Sequence, residues 1–245
     1  MSLRLTFSTA NRILRQLRHD KRTIALILVV PTVLLTLLRY LYDNNPILFD
    51  RIGLIMLGVF PLVIMFLLTS VAMLRERTSG TLERLLTTPI GKADIMLGYG
   101  IAFAVAAAVQ AVVVSALAFS LLGLDTLGPA WLVGVIAVGN SVLGMALGLL
   151  VSAFADSEFQ AVQFMPAVVL PQVLLCGLLQ PRDQMPGWMH VISDVLPMSY
   201  AVEALTELGS HADPTGIMWR DLAIVVGCVI VALLLGAATL RRRTA

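Results

Sequence analysis

The residues of this chain with the clearest potential for a chemical role form one charged run, Arg75 to Pro89, between two long hydrophobic segments. A run this polar cannot stay in the hydrocarbon core of a bilayer, because its charged and backbone groups would lack partners there. Gly80 can cap a short helix, and Glu83 would then lie in its first turn, where the helix dipole favours an anion. We therefore predict a short helix that emerges between two membrane spans.

Three leucines share one face of this predicted helix and polar side chains share the other: Leu82, Leu85 and Leu86 against Glu83, Arg84 and Thr87. Pro89 ends this helix or begins the next one. An apolar face that points away from the helix's own charges can bind another protein. A solvated charged loop that happens to be helical is the alternative that this run leaves open.

The same run resembles the cytoplasmic loop after the second span of type 2 ABC exporter permeases, the ABC-2 family, where a pattern E-R-x-x-G-T-L-E-x-L-L-x-T-P-I recurs. The matching residues are Glu76, Arg77, Gly80, Thr81, Leu82, Glu83, Leu85, Leu86, Thr88, Pro89 and Ile90. Within the family the resemblance is to the daunorubicin-type drug-efflux permeases. It implies that residues 75–90 form a coupling loop that docks onto a separate soluble ATPase.

The composition of the chain indicates an integral membrane protein. Hydrophobic residues make up 58% of it and charged residues 13%, against about 25% charged in an average soluble domain. The 245 residues leave room for about six spans of roughly 20 residues each. We predict one all-α transmembrane domain over residues 1–245, with spans near residues 23–42, 52–74, 94–122, 131–155, 159–179 and 222–240.

Residues 2–22 are predicted to form an amphipathic helix in the membrane interface. The apolar arc comprises Leu3, Phe7, Ala10, Ile13, Leu14 and Leu17, and the opposite basic arc comprises Arg4, Arg12, Arg15, Arg18, His19 and Arg22. A secretory signal is disfavoured, because the basic region is long and a small-residue cleavage site is missing.

Two other spans carry local features. Gly144 and Gly148 in the fourth span form a small-xxx-small pair, which lets another helix backbone approach closely, either within the chain or across a dimer. Pro166 and Pro171 predict an irregular fifth span.

Residues 180–220 are too interrupted to span a membrane and too apolar for a solvated loop, which predicts one or two short helices that dip into the outer leaflet. The stretch from Leu196 to Leu205, LPMSYAVEAL, resembles an L-P-x-x-Y-x-x-x-A-L run of the ABC-2 family. The resemblance implies a re-entrant helical hairpin here, with Pro197, Tyr200 and Glu203 as its motif residues.

The distribution of charge predicts that both termini lie in the cytoplasm. Of the 17 lysines and arginines, six precede the first span, four lie between residues 75 and 92, and three lie at the C-terminus. The remaining four fall on the opposite side. This positive-inside bias places the coupling loop in the cytoplasm of a bacterial-type inner membrane.

The chain has no phosphate-binding G-x-x-x-x-G-K-[ST] motif, so we expect no enzyme activity of its own and expect ATP and Mg²⁺ to be bound by a partner ATPase. The predicted spans carry no Asp, Glu or His near their middles, which argues against an intramembrane protease or a proton-coupled carrier. We also expect no metal cluster, no disulfide between Cys176 and Cys228, and no nucleic-acid partner.

Four amide side chains are predicted to lie at depth in the spans: Gln110, Asn140, Gln163 and Gln172. Each can form a hydrogen bond between helices, and each can instead line a substrate path. A mostly apolar cavity with a few neutral donors suits amphiphilic drugs or lipids better than ions or free sugars.

Two functional hypotheses follow. In the first, the chain is the permease subunit of an ATP-driven exporter, which pairs with a soluble ABC ATPase and with a second copy or a related permease among the membrane lipids. Its substrate is then a drug or a lipid, although polysaccharide and haem exporters share this architecture. In the second, the chain is a membrane scaffold or assembly factor without transport.

Overall fold

The computed structural model describes residues 3–78 and 91–239 of the chain. Over these residues the chain forms α-helices, two short 3₁₀ turns and no β-strand, which confirms the predicted all-α class. Most of the coupling loop, residues 79–90, lies outside the described residues, and so does the C-terminal run from residue 240.

The described helices follow one another with short connections. They are α1 (Leu3–His19), α2 (Lys21–Leu41), α3 (Pro46–Thr78), α4 (Lys92–Ser120), α5 (Ala130–Val151), α6 (Glu158–Leu175), α7 (Gly187–Val195), α8 (Pro197–Ser210) and α9 (Gly216–Thr239). The 3₁₀ turns are Ser152–Phe154 and Arg182–Gln184. Among the described helices, α2 to α6 and α9 are long and apolar enough to cross a membrane, which confirms six candidate spans.

Helices α3 and α9 extend beyond the predicted span ends, because a helix continues beyond its hydrophobic part wherever its backbone hydrogen bonds continue. Helix α3 has 33 residues, about 50 Å at 1.5 Å per residue, against a hydrocarbon core of about 30 Å. Helix α9 begins at Gly216 instead of near residue 222. Helix α6 ends at Leu175, before the predicted residue 179.

The pair α3 and α5 forms the centre of the bundle. Gly144 and Gly148 of α5 lie directly against the backbone of α3: a Cβ atom on Gly144 would be 2.2 Å from the carbonyl oxygen of Leu62. The Thr69 hydroxyl of α3 donates a hydrogen bond across this contact to the carbonyl of Met145, at 3.1 Å. The partner of the predicted small-residue pair is therefore α3 of the same chain.

Long-range contacts define two ends of the bundle. At the α1 end, helix α1 and the end of α3 meet the start of α4 and the start of α6. At the opposite end, the α4–α5 connection meets α8, where the amide of Gly128 donates to the carbonyl of Leu208 at 2.8 Å. The short helices α7 and α8 also lie at this opposite end, within the residues 180–220 for which short helices are predicted; that they re-enter the outer leaflet stays a prediction.

Candidate functional site

The last turn of α3, which leads into the coupling loop, is tied to α6. The guanidinium of Arg75 makes a two-pronged ion pair with the carboxylate of Glu158, from Nε to Oε1 at 2.8 Å and from Nη2 to Oε2 at 3.0 Å. Ser157 caps α6 by accepting a hydrogen bond from the amide of Gln160 at 3.2 Å, which holds Glu158 in the first turn. This geometry joins the start of the coupling loop to the start of the fifth span.

The next residue of α3 is tied to α1 and α4 through a cluster of three side chains, Arg12, Glu76 and Tyr99. Arg12 of α1 lies 3.7 Å from the carboxylate of Glu76 and donates a hydrogen bond at 3.0 Å to the hydroxyl of Tyr99. Tyr99 of α4 is almost completely buried. Consecutive residues of α3 thus connect the loop to three other helices.

Helix α1 packs closely on α4 through part of its predicted apolar face. Ala10 and Ile13 are buried, and the Thr6 hydroxyl donates a hydrogen bond to Asp94 at 3.3 Å. A Cβ atom on Gly98 of α4 would lie 2.7 Å from the Cβ of Thr9. Phe7 stays exposed, and the predicted position of α1 in the membrane interface stays a prediction.

We expect Gly98→Ala to loosen α1 from α4, because the added methyl group overlaps Thr9 and lies 3.1 Å from the carbonyl of Thr6. Hydrogen–deuterium exchange of peptides from residues 4–18 should accelerate by about tenfold, the equivalent of about 1.4 kcal/mol. Gly100→Ala is the matched control, because its nearest neighbour would be a leucine methyl at 3.7 Å. Equal exchange in the two variants would contradict this packing.

The remaining predicted coupling residues divide between described and undescribed parts of the chain. Arg77 is half-buried, and its Nε and Nη2 atoms are buried without a hydrogen-bond partner among the described residues. Seven others lie outside the described residues: Gly80, Thr81, Leu82, Glu83, Leu85, Leu86 and Pro89. The coupling role of the whole set stays a prediction.

Gln110 satisfies a backbone group that a proline leaves free. Pro31 lies inside α2 and has no N–H, so the carbonyl of Ile27, four residues earlier, lacks its helical donor. The side-chain amide of Gln110 on α4 donates to that carbonyl at 2.9 Å and is fully buried. This hydrogen bond ties α4 to α2.

The other three predicted path residues differ in their burial and in their hydrogen-bond partners. Asn140 is buried and donates from Nδ2 to the carbonyl of Gly58 at 2.9 Å. Gln172 is buried and accepts a hydrogen bond at 3.3 Å from the amide of Met198, in the first turn of α8. Gln163, predicted to be buried, is exposed in this chain, because it lies on the face of α6 that no described helix covers. That any of these residues lines a substrate path stays a prediction.

A second group of charged and polar residues lies at the opposite end of the bundle, and we call it the Arg182 network: Arg182, His190, Asp194, Tyr200, Glu203, Arg220 and Asp221. Arg182 pairs with the carboxylates of Asp194 and Glu203, and its guanidinium lies 5.2 Å from the ring centre of Tyr200. The Tyr200 hydroxyl donates to the carbonyl of Asp194 at 2.6 Å. These contacts hold the 3₁₀ turn, α7 and α8 together.

The network continues into α9. Arg220 lies 3.5 Å from the carboxylate of Glu203 and 2.7 Å from that of Asp221, and Asp221 is fully buried. Burial of a charged pair is costly unless each charge has a partner. The network therefore fixes the two short helices to the start of the last span, and Glu203 is its central carboxylate.

Sequence reasoning singled out Tyr200 and Glu203 but missed the arginines and aspartates that surround them. The sequence pattern counted Arg182 and Arg220 among the charges on the outer side of the membrane and predicted no further role for them. The available signal was the density of opposite charges within residues 182–221, an otherwise apolar region.

Comparison with known proteins places the chain in a family. The family model described as ABC-2 type transporter matches residues 4–208. Among curated proteins, the chain is 26% identical over 158 residues to an Escherichia coli K12 protein named "Probable multidrug ABC transporter permease YbhR", covering 64% of this chain and 42% of the relative.

Two further relatives come from distant organisms. Identity is 27% over 135 residues to the Bacillus subtilis "Linearmycin resistance permease protein LnrN", covering 55% of this chain and 35% of the relative. It is 25% over 181 residues to "ABC transporter G family member 20" of Dictyostelium discoideum, covering 72% of this chain and 24% of the relative. The matched stretches thus span less than half of each of these relatives. The family match covers most of the chain and the described fold has six candidate spans, so the chain is a multi-pass membrane protein that belongs to the ABC-2 type transporter family.

Proposed function

We propose that this chain is the transmembrane permease subunit of an ATP-driven exporter, which moves a hydrophobic or amphiphilic substrate, a drug or a lipid, out of the cytoplasm or the inner leaflet. The observation that carries the proposal is the ABC-2 match over residues 4–208, together with the six candidate spans found among the described residues. Two relatives, one named as a probable multidrug ABC transporter permease and one as a linearmycin resistance permease, favour this substrate class. ATP and Mg²⁺ are bound by a separate ATPase subunit.

The orientation we propose places both termini and the α1 end in the cytoplasm of an inner membrane. The positive-inside rule supports this orientation, because the basic residues of α1 and of the last turn of α3 lie at the same end of the bundle. An ATPase in the cytoplasm can then reach the coupling loop. The permease works as a dimer with a second copy or a related permease, because one chain of six spans forms only half of the transport pathway.

Motion of the ATPase is transmitted through the base of the coupling loop. Arg75 links this base to α6, and Glu76 links it to α1 and α4. Side chains that are paired across packed helices move together. A movement of the ATPase that displaces the loop therefore displaces these helices with it, as rigid bodies. At the far end, the Arg182 network holds α7 and α8 on α9, so the outer helices follow the same movement.

We expect Glu83→Ala and Leu86→Ala to uncouple ATP hydrolysis from export while the protein stays folded. Transport in proteoliposomes that contain the permease and its co-purified ATPase should fall about tenfold or more, with ATP hydrolysis retained. Thr87→Ala serves as the control, because Thr87 lies opposite Leu86 and on the same predicted face as Glu83 but is not one of the predicted coupling residues. Unchanged transport in both variants would contradict the coupling role and favour a scaffold without transport.

A further inference from the structure

A cavity of about 710 Å³ opens among α1, α2, α3 and α4 at the α1 end. Most of its described wall is apolar, with Ile27 and Val30 on one side and Ile64, Leu68 and Phe103 on the other. Its described mouth is polar, lined by Gln16, Asp20, Thr23, Arg75 and Glu76. One chamber therefore combines an apolar interior with a charged entrance.

The depth of the cavity corresponds to one membrane leaflet. Ile64 and Arg75 are eleven residues apart on α3, about 17 Å along the helix axis at 1.5 Å per residue. The hydrocarbon core of a bilayer is about 30 Å thick, so one leaflet contributes about half of that. The charged mouth then lies at the level of the headgroups while the apolar part lies at the level of the acyl chains.

The mouth presents opposite charges on its two sides. Asp20 accepts hydrogen bonds from the amide of Thr23 at 3.1 Å and from its hydroxyl at 2.6 Å. The Thr23 hydroxyl and amide lower the pKa of the Asp20 carboxyl, which is exposed and ionised at neutral pH. Arg75 of α3 lines the other side of the mouth.

Asp20 is the carboxylate that the described part of the mouth offers to a cation. Arg75 is already bound by Glu158, and Glu76 is paired with Arg12, whereas Asp20 makes no ion pair with any described residue. An ammonium group is favoured at Asp20, and a phosphate ester next to that ammonium would lie toward Arg75. An anionic headgroup without an ammonium would place a negative charge against Asp20.

We propose that this cavity binds one phospholipid of the leaflet beside α1, with a phosphoethanolamine headgroup at Asp20 and Arg75 and an acyl chain between α2 and α3. The site lies within a single chain and goes beyond the proposed export function. It relies on that proposal only for the orientation that makes this leaflet the cytoplasmic one.

Native mass spectrometry of the full chain, released from nanodiscs with equal phosphatidylethanolamine and phosphatidylglycerol, tests the site. The wild-type chain should keep one phosphatidylethanolamine, with a preference of about tenfold over phosphatidylglycerol. Ala72→Phe fills the cavity and should lower retention about tenfold. Ala25→Phe makes the same change at an exposed position of α2 that does not line the cavity, and it should retain the lipid.

Asp20→Asn tests the headgroup separately, because Asn still caps α2 but carries no charge. Total lipid retention should stay the same while the preference for phosphatidylethanolamine disappears.

Equal retention in Ala72→Phe and Ala25→Phe would overturn the site. A preference unchanged by Asp20→Asn, or a different lipid class in the wild-type chain, would overturn the headgroup assignment. The readout is bound lipid mass, so failure here is distinguishable from failure of the export proposal, which is measured as transport.

Discussion

We expect Gly144→Ala to lower the thermal stability of the purified protein by roughly 5 to 10 °C, for an overpacking cost of up to about 3 kcal/mol. The added Cβ atom would lie 2.2 Å from the carbonyl oxygen of Leu62 and 2.8 Å from its Cα. Carbon atoms pack without strain only at about 3.5–4.0 Å. Both clashing groups belong to backbone, so no rotamer change relieves the overlap, and α3 and α5 must move apart at the centre of the bundle.

Thermal unfolding followed by size-exclusion chromatography in detergent measures this effect. Gly134→Ala is the matched control on the same helix, because a Cβ atom there meets nothing within 4 Å. It brings the same gain in helix propensity, so the difference between the variants isolates the contact with α3. Equal melting temperatures for Gly144→Ala and Gly134→Ala would contradict the close approach of α3 and α5.

We expect Arg182→Ala to release α7 and α8 from α9 and to abolish most export. The substitution leaves Asp194 and Glu203 without their shared cation, and removing one partner of a buried pair costs about 3–5 kcal/mol. The cost should lie at or below the lower end of this range, because the Asp194 side chain is 44% exposed and water solvates part of its charge, whereas Arg182 is 13% exposed.

Hydrogen–deuterium exchange of peptides from residues 187–210, together with transport in proteoliposomes, measures the release. Arg51→Ala removes an exposed arginine at the same end that makes no ion pair with any described residue, and it should change neither readout. Adding Glu203→Gln to Arg182→Ala should restore part of the protection, because it reduces the excess of three carboxylates, Asp194, Glu203 and Asp221, over the one remaining arginine of the network, Arg220. Protection equal to wild type in Arg182→Ala would contradict the role of the network.

The fold class and the number of candidate spans could be predicted from the sequence, because both depend on local hydrophobicity. The close approach at Gly144 and Gly148 was also predictable from their spacing. Its partner was not, because a small-residue pair permits close contact without specifying which helix fills the space. The structure identifies α3 as that partner.

Contacts between distant residues could not be predicted in the same way. Pro31 leaves the carbonyl of Ile27 without its helical donor, and the side chain of Gln110 can reach this carbonyl only if the two residues lie at the same level of the bundle. The sequence does not show how two helices are shifted along their axes relative to each other. Gln163 was predicted to be buried but is exposed in the single chain; α6 has no marked apolar face, so the side that other helices leave uncovered could not be predicted from the pattern. The Arg182 network joins residues from a turn, two short helices and a span, and only the tertiary fold brings these charges together.

Co-purification of the tagged chain from native membranes, with mass spectrometry of what it retains, tests the central claim most directly. Our account predicts a soluble ATPase in a stoichiometric amount, lost in the Glu83→Ala and Leu86→Ala double variant and kept in Thr87→Ala. Recovery of a second permease of different sequence would identify a heterodimer. Recovery of the ATPase with this permease alone would favour a homodimer. Recovery of this chain without an ATPase, under conditions that preserve known ABC complexes, would contradict the assignment as an exporter subunit.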